Sequence, residues 1–172
     1  MSTQPADRLA RLDAVLGAPL HIVLVEPQIP PNTGNVARLC AATGCALHLV
    51  EPLGFSIDDR ALKRAGLDYW SELDVVVHAS LDAFFEQIPL ARCWLLSTHA
   101  TRSYRAATVA RGDALVFGKE TAGLPSELLA ANAERALRIP MRAERVRSLN
   151  LSTSVGIVAY DALASLGFPD LV

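Results

Sequence analysis

Short apolar runs rich in branched residues recur along the chain: Ile22–Val25, Ala46–Val50, Val75–Val77, Cys93–Leu96, Ala114–Phe117 and Leu137–Ile139. Within each run the apolar residues are mostly contiguous, not alternating, which is the pattern of strands covered on both faces in a parallel sheet. Helix-length segments lie between them. Asn35–Thr43 ends at Gly44, Asp58–Ala65 ends at Gly66, Leu81–Gln87 stops before Pro89, and Pro125 suits the first turn of a helix running to Ala131. This alternation predicts a doubly wound α/β domain. The last helix is the clearest: Leu151, Val155, Val158, Ala159, Ala162 and Leu166 follow steps of three and four, with Gly167 and Pro169 as a stop. Its apolar stripe needs cover, either from the chain's own sheet or from a second copy. Another amphipathic stretch (Leu9, Leu12, Val15, Leu16) precedes Gly17 and Pro19 and reads as a short docking helix or an extension, so residues 1–19 are set apart from a domain over 20–172.

Composition narrows the class. A chain of 172 residues, 51% hydrophobic and 20% charged, has the apolar content for one domain with a real core. Sixteen Lys and Arg against 18 Asp and Glu give a net charge of −2, so no overall field draws in a polyanion and any nucleic-acid site must be a local patch. Cys40, Cys45 and Cys93 are odd in number and lack CxxC spacing, which favours reduced core residues over a disulfide framework or zinc knuckle. Charges interrupt Met1–Asp13 where a signal peptide needs its apolar stretch, and no run approaches the roughly 18 apolar residues of a membrane span. The expected location is the cytoplasm.

Several common chemistries lack their signatures. There is no GxGxxG after the first strand, no GxxxxGK[ST] and no GxSxG elbow. The four histidines show no HxH or HExxH pattern. His21, His48 and His78 fall in or beside strands, where a satisfied structural role is expected, and no metal site is expected.

Three segments do carry a signal, because loops beyond the carboxyl ends of parallel strands line the ligand crevice. In the first, Pro27 to Arg38, two adjacent prolines stiffen a loop, Asn32 or Thr33 can cap the following helix, and Arg38 is expected about one turn inside it. The second runs from Val116 to Pro125, where Gly118 and Gly123 flank a polar tetrad and let backbone approach a ligand closely. The third is Ile139-Pro140-Met141 followed by Arg142, Arg145, Arg147 and Ser148-Leu149-Asn150. With Arg138 it holds four arginines against Glu144, a local positive patch. Taken singly, each also reads as an ordinary turn, helix start or solvated loop.

In this order and spacing the three segments resemble the motifs of the SPOUT (SpoU-like) RNA 2′-O-ribose methyltransferases: Asn-x5-Arg at Asn32 to Arg38, Phe-Gly-x-Glu-x-x-Gly-Leu at Phe117 to Leu124, and Ile-Pro-Met with Ser-Leu-Asn-x-Ser at Ile139 to Ser152. The likeness runs over roughly residues 20–168. The stretches EPQIPPNTGNVARLCAATG, KRAGLDYW and RSLNLSTSVGIVAYDAL are similar to the branch acting on the tRNA wobble ribose. The resemblance implies a parallel-sheet α/β fold with a C-terminal trefoil knot, a homodimer, S-adenosyl-L-methionine as methyl donor, and no metal. It implies a tRNA substrate, with cytidine or 5-carboxymethylaminomethyluridine at position 34 of leucine tRNAs, and neither DNA nor a membrane as partner.

Carried over by position, Leu96, Ser97, Thr98, Gly118, Ile139, Ser148 and Leu149 match the residues that wrap the methyl donor. Asn32, Arg38, Glu120, Ser148 and Asn150 match the polar catalytic cluster, in which Asn32, Ser148 and Asn150 orient Arg38 and the ribose and Glu120 fixes that arginine or an amide of the third motif. Lys63, Arg64, Arg142, Arg145 and Arg147 are the candidate RNA contacts. Lys119 holds a variable position and receives no catalytic role. The alternatives are methylation of another tRNA or rRNA ribose, a non-catalytic RNA-binding module that retains the cofactor pocket, and a small-molecule α/β enzyme.

Overall fold

The computed structural model describes residues 17–56, 73, 75–142 and 144–172. The amphipathic stretch before Gly17, the helix expected at 58–65, and Lys63 and Arg64 lie outside the described residues.

Seven parallel strands form one sheet: β1 (Leu20–Val25), β2 (Ala46–Val50), β3 (Val75–His78), β4 (Cys93–Leu96), β5 (Arg102–Ser103), β6 (Asp113–Phe117) and β7 (Ala136–Arg138), in the order β3-β2-β1-β6-β4-β7-β5. All residues of β1, β2 and β6 are buried. Their contiguous apolar runs follow from cover on both faces. Leu20, Ile22 and Leu24 turn to the face covered by α1 (Pro30–Thr43) and α4 (Leu151–Ser165). Val23 and Val25 turn to the opposite face, with α2 (Leu81–Gln87) and Leu124. Six strands agree with the apolar runs to within two residues at either end. The two-residue, polar β5 carries no hydrophobic pattern and is not expected from the sequence.

Two helix starts differ from expectation. The first helix begins at Pro30, not Asn35, because Pro30 and Pro31 occupy its first turn, where a missing N–H costs nothing. Ile29 is therefore the N-cap, and neither Asn32 nor Thr33 caps; Thr33 Oγ1 is buried without a hydrogen-bond partner. Arg38 in turn lies more than two turns inside the helix, not one. At the other site Pro125 is the N-cap of α3 (Ser126–Ala131), one place outside the helix it was expected to open. The stripe of α4 needs no second copy: Leu151, Val155, Val158, Ala159, Ala162 and Leu163 are buried in the core shared with β1 and α1.

The histidines in the strands are structural. His21, His48 and His78 form a diagonal row on one face of the sheet, with Nδ1 to Nε2 distances of 2.9 Å for both pairs, capped by the edge of Phe84. Burial, with Arg92 nearby, pushes the His21 imidazole down to about 4; burial and the flanking imidazoles push His48 lower still. Neutral rings are built in. Below pH 6.5 the unfolded chain takes up protons that the folded row refuses, so stability should fall as pH drops from 6.5 toward 4, by up to about 1.4 kcal/mol per pH unit for each of His21 and His48. Urea unfolding at pH 7 and pH 5 checks this: a clear loss at pH 5, reduced in His48→Gln, is expected, and equal stabilities would refute it.

Candidate active site

Strands β1, β6, β4 and β7 are neighbours, and the chain reverses its winding direction between β1 and β6. The loops leaving their carboxyl ends therefore converge, as ligand-binding loops do at a switch point of an open α/β sheet. They enclose a cavity of about 670 Å³, within the range of small-molecule sites. Its walls come from Leu96–His99 after β4, Phe117–Gly123 after β6, Arg138, Ile139 and Met141 at the end of β7, and Arg147–Leu151 leading into α4, with Ile29 and Asn32 from the first motif.

A chain of polar contacts ties these loops together. The Glu120 carboxylate accepts hydrogen bonds from the amides of Gln28 (2.9 Å) and Ile29 (3.2 Å) and from Asn32 Nδ2 (2.9 Å). Asn32 Oδ1 then accepts from Asn150 Nδ2 (2.9 Å), and Asn150 Oδ1 accepts from Ser152 Oγ (2.7 Å) and from the Thr153 amide (3.3 Å) as the N-cap of α4. Only one orientation of each amide satisfies this line. A carboxylate at one end can only accept and a backbone N–H at the other can only donate, so both asparagines are fixed between them. Asn32 is 5% exposed, deep enough that a broken link would strand a polar group.

Glu120 thus ties the loop after β6 to the first motif. Burial raises its carboxyl, but the bonds from Asn32, Gln28 and Ile29 outweigh that and hold it below its ordinary value. Of the two links expected for Glu120, to Arg38 or to a third-motif amide, the second is made indirectly: Glu120 reaches Asn150 through Asn32. Further bonds close the same seam. Lys119 Nζ donates to Glu26 Oε2 at 2.6 Å, Thr121 Oγ1 to Gln28 Oε1 at 2.8 Å, and the Gly123 amide to the Lys119 carbonyl at 2.8 Å. Glu26, at φ 50°, turns the chain out of β1 to present this carboxylate.

All seven residues matched to the methyl donor line the cavity: Leu96, Ser97, Thr98, Gly118, Ile139, Ser148 and Leu149. Of the polar cluster, Asn32, Glu120, Ser148 and Asn150 line it as well, whereas Arg38 stands exposed on α1 and is not part of the wall. Arg147 reaches the wall; Arg142 and Arg145 are exposed beside it. Glu26, Gln28 and Ile29 carry no signal of their own in the sequence, although they stand inside the EPQIPPNTGN stretch. The glycine pair points to the loop after β6, but nothing in it shows which residues the loop is stitched to.

The wall suits S-adenosyl-L-methionine. Leu96, Ile139, Met141 and Leu149 offer apolar contact to a purine and ribose, backbone amides and carbonyls lie between them, and Arg138 and Arg147 bring positive charge for a carboxylate. Gly118 must be glycine for the wall to close: a Cβ there would fall inside the Gly123 carbonyl and the Leu124 amide nitrogen.

Comparison with known proteins places this arrangement. The model of the SpoU rRNA Methylase family matches residues 19–160. The tRNA (cytidine(34)-2′-O)-methyltransferase of Saccharophagus degradans is 52% identical over 149 residues, covering 86% of this chain and 96% of that one. The protein of the same name from Escherichia coli (strain K12) is 49% identical over 154 residues, covering 89% and 98%. A solved structure described as "Structural insights into the 2-OH methylation of C/U34 on tRNA" superposes with a TM-score of 0.79 at 48% identity, over 86% of this chain and 96% of that one. A further solved structure, the SpoU methyltransferase AviRb of Streptomyces viridochromogenes, shares the fold with a TM-score of 0.74 at 22% identity. With three loops of the expected motifs joined around one cavity and a family model matched over most of its length, the chain belongs to the SpoU rRNA methylase family.

Proposed function

We propose that the chain transfers the methyl group of S-adenosyl-L-methionine to the ribose 2′-hydroxyl of the wobble nucleotide, position 34, of tRNA in the cytoplasm. The substrate is the cytidine or 5-carboxymethylaminomethyluridine of leucine tRNAs. The observation that carries this reading is the Glu120–Asn32–Asn150 line, which joins the three motif loops into one cavity fit for the donor. The names of its half-identical relatives supply the position of the ribose. The decisive experiment incubates the protein with labelled donor and total tRNA from a strain lacking the gene, then maps label by nucleoside mass spectrometry. Label at ribose 34 is expected; label elsewhere selects another ribose, and donor binding with no transfer leaves a binding module.

S-adenosyl-L-methionine supplies a methyl carbon already bonded to a good leaving group. The protein must align the hydroxyl and manage its proton, and alignment alone is worth an effective concentration on the order of 10⁵ M. Leu96, Ser97, Thr98, Gly118, Ile139, Ser148 and Leu149 hold the donor. Arg38 clamps the phosphate 3′ to the target ribose, a role suited to an exposed guanidinium outside the cavity wall. A guanidinium has no lone pair free to accept a proton at neutral pH, so the clamped phosphate or a water takes the proton while the cation stabilises the developing alkoxide. Arg38→Lys tests this: substantial residual transfer is expected if charge suffices, and near-total loss would require the planar fork or a true base.

Phosphates are held by Arg142, Arg145 and Arg147, with Lys63 and Arg64. The three arginines are exposed, and no carboxylate among the described residues pairs with them. Neutralising one should weaken tRNA binding and lower the salt slope by roughly 0.7 to 0.9 for each phosphate left without its cation. Affinity insensitive to salt would remove the patch.

A homodimer completes the proposal, with a second copy covering Tyr160, 48% exposed on α4, and its neighbour Phe168, 6.4 Å away between ring centroids. A C-terminal trefoil knot is proposed too, consistent with β7 inserting between β4 and β5 before the chain turns into α4. Residues 1–19 are treated as an extension to the domain that starts at β1.

A further inference from the structure

We infer that Ile29 is the surface on which the base of the nucleotide being methylated rests. The inference depends on the RNA-methylating reading above and adds a substrate-positioning residue to it. Ile29 lines the mouth of the cavity beside Asn32, with its side chain 45% exposed. Of the six large hydrophobic side chains exposed among the described residues, it alone lines this cavity.

Single exposed apolar residues are ordinary on protein surfaces, but the setting of this one, at the cavity and on a fixed backbone, is particular. Ile29 is the N-cap of α1, where Ser, Thr, Asp or Asn is strongly favoured over an aliphatic residue, and it makes no side-chain cap bond. Here, however, Pro30 and Pro31 have no N–H and the Asn32 amide is taken by the Ile29 carbonyl, so capping makes little demand on this side chain and the position is open to an apolar group. The mount is also rigid: the Ile29 amide is held by Glu120 at 3.2 Å, its carbonyl accepts from the Asn32 amide at 3.0 Å, and two prolines follow. An apolar group is thus presented firmly at the entrance of a site whose other mouth residues are mostly polar or charged.

A base that leaves its stack so that its ribose can meet the donor loses stacking energy. An aliphatic face returns part of that loss, since every base presents an apolar π-face. Nearby arginines serve the phosphates, so the division of labour is consistent. Having no donor or acceptor, the Ile29 side chain supports a base without reading its edge, and cytidine and uridine should benefit alike.

The test compares wild type with Ile29→Ser and Ile29→Phe, using Val77→Ala, an exposed residue of the distant edge strand β3, as control. Melting temperature, donor affinity by calorimetry, and KM and kcat with tRNAs carrying C34 or U34 are measured. Ile29→Ser should melt close to the wild-type temperature, because the side chain is largely exposed and the Asn32 amide keeps its bond to the residue 29 carbonyl, and should bind the donor unchanged. Its KM for either tRNA should rise about five- to tenfold, while Ile29→Phe keeps or lowers KM. An unchanged KM in Ile29→Ser, or a fall in melting temperature and donor affinity together, overturns the assignment. Wild type that methylates no tRNA would instead remove the functional reading itself, a different result from an active enzyme indifferent to residue 29.

Discussion

Gly118→Ala should abolish donor binding in an enzyme that is otherwise largely folded. The added Cβ overlaps the Gly123 carbonyl and the Leu124 amide, and both are backbone, so no rotamer change relieves the collision. Leu124 is anchored in the core at 4% exposure, and Gly123 already sits at φ 71°, which leaves the far side of the turn little room to move. The loop between them must open, carrying Lys119 and Glu120 away from Glu26 and Asn32. A displacement of about 1 Å at such a site costs on the order of 10²-fold in rate. Calorimetric titration with S-adenosyl-L-methionine should show affinity weakened by at least about 100-fold, against a modest drop in melting temperature. Gly123→Ala is the companion: its Cβ meets nothing within 4 Å, so only the positive φ is penalised, by about 1–2 kcal/mol. Near-normal donor affinity in Gly118→Ala would mean that the turn is not part of the binding wall.

Asn32→Asp is expected to be nearly as damaging, by a different route. The substitution keeps the shape and still accepts from Asn150, but it replaces a donor with a second carboxylate 2.9 Å from Glu120. Loss of a hydrogen bond to a charged group costs about 1.5–3 kcal/mol, and like-charge repulsion in a half-buried site adds to it. A fall of at least about 100-fold in kcat/KM is expected, with a lower melting temperature. Asn32→Ala removes both bonds without adding charge. An aspartate variant worse than the alanine variant identifies the electrostatic clash; equal activity of Asn32→Asp and wild type would show that the line of hydrogen bonds carries no catalytic consequence.

Much of this architecture is legible in the residues, and the gaps have physical causes. Contiguous apolar runs mark β1, β2 and β6 because both their faces are buried, and the stripe of α4 is plain because it packs over its whole length. β5 is invisible in the sequence because a two-residue polar strand is held by its pairing with β7 and not by its own side chains. The start of α1 differs from expectation because two prolines look like a loop, although the first helical turn tolerates them. At the site, spacing locates the three motifs but cannot show that Asn32 faces Glu120 instead of capping its helix, nor that Glu26 binds Lys119. Those pairings span up to 118 residues, and one-dimensional pattern carries no information at that range. The histidine row illustrates the same limit: a satisfied role is expected for each residue, but the identity of its partners emerges only in the sheet.

The long reach of that polar line bears on how the molecule comes into being. Asn32 is translated more than a hundred residues before Asn150, and until the final helix has docked, one lone pair of a deeply placed amide has nothing to accept. Closing so large a loop is entropically slow compared with forming the neighbouring strand pairs. The donor cradle should therefore be the last part of the protein to mature during synthesis. A chain halted before α4 would carry every first- and second-motif residue and still be unable to hold the donor.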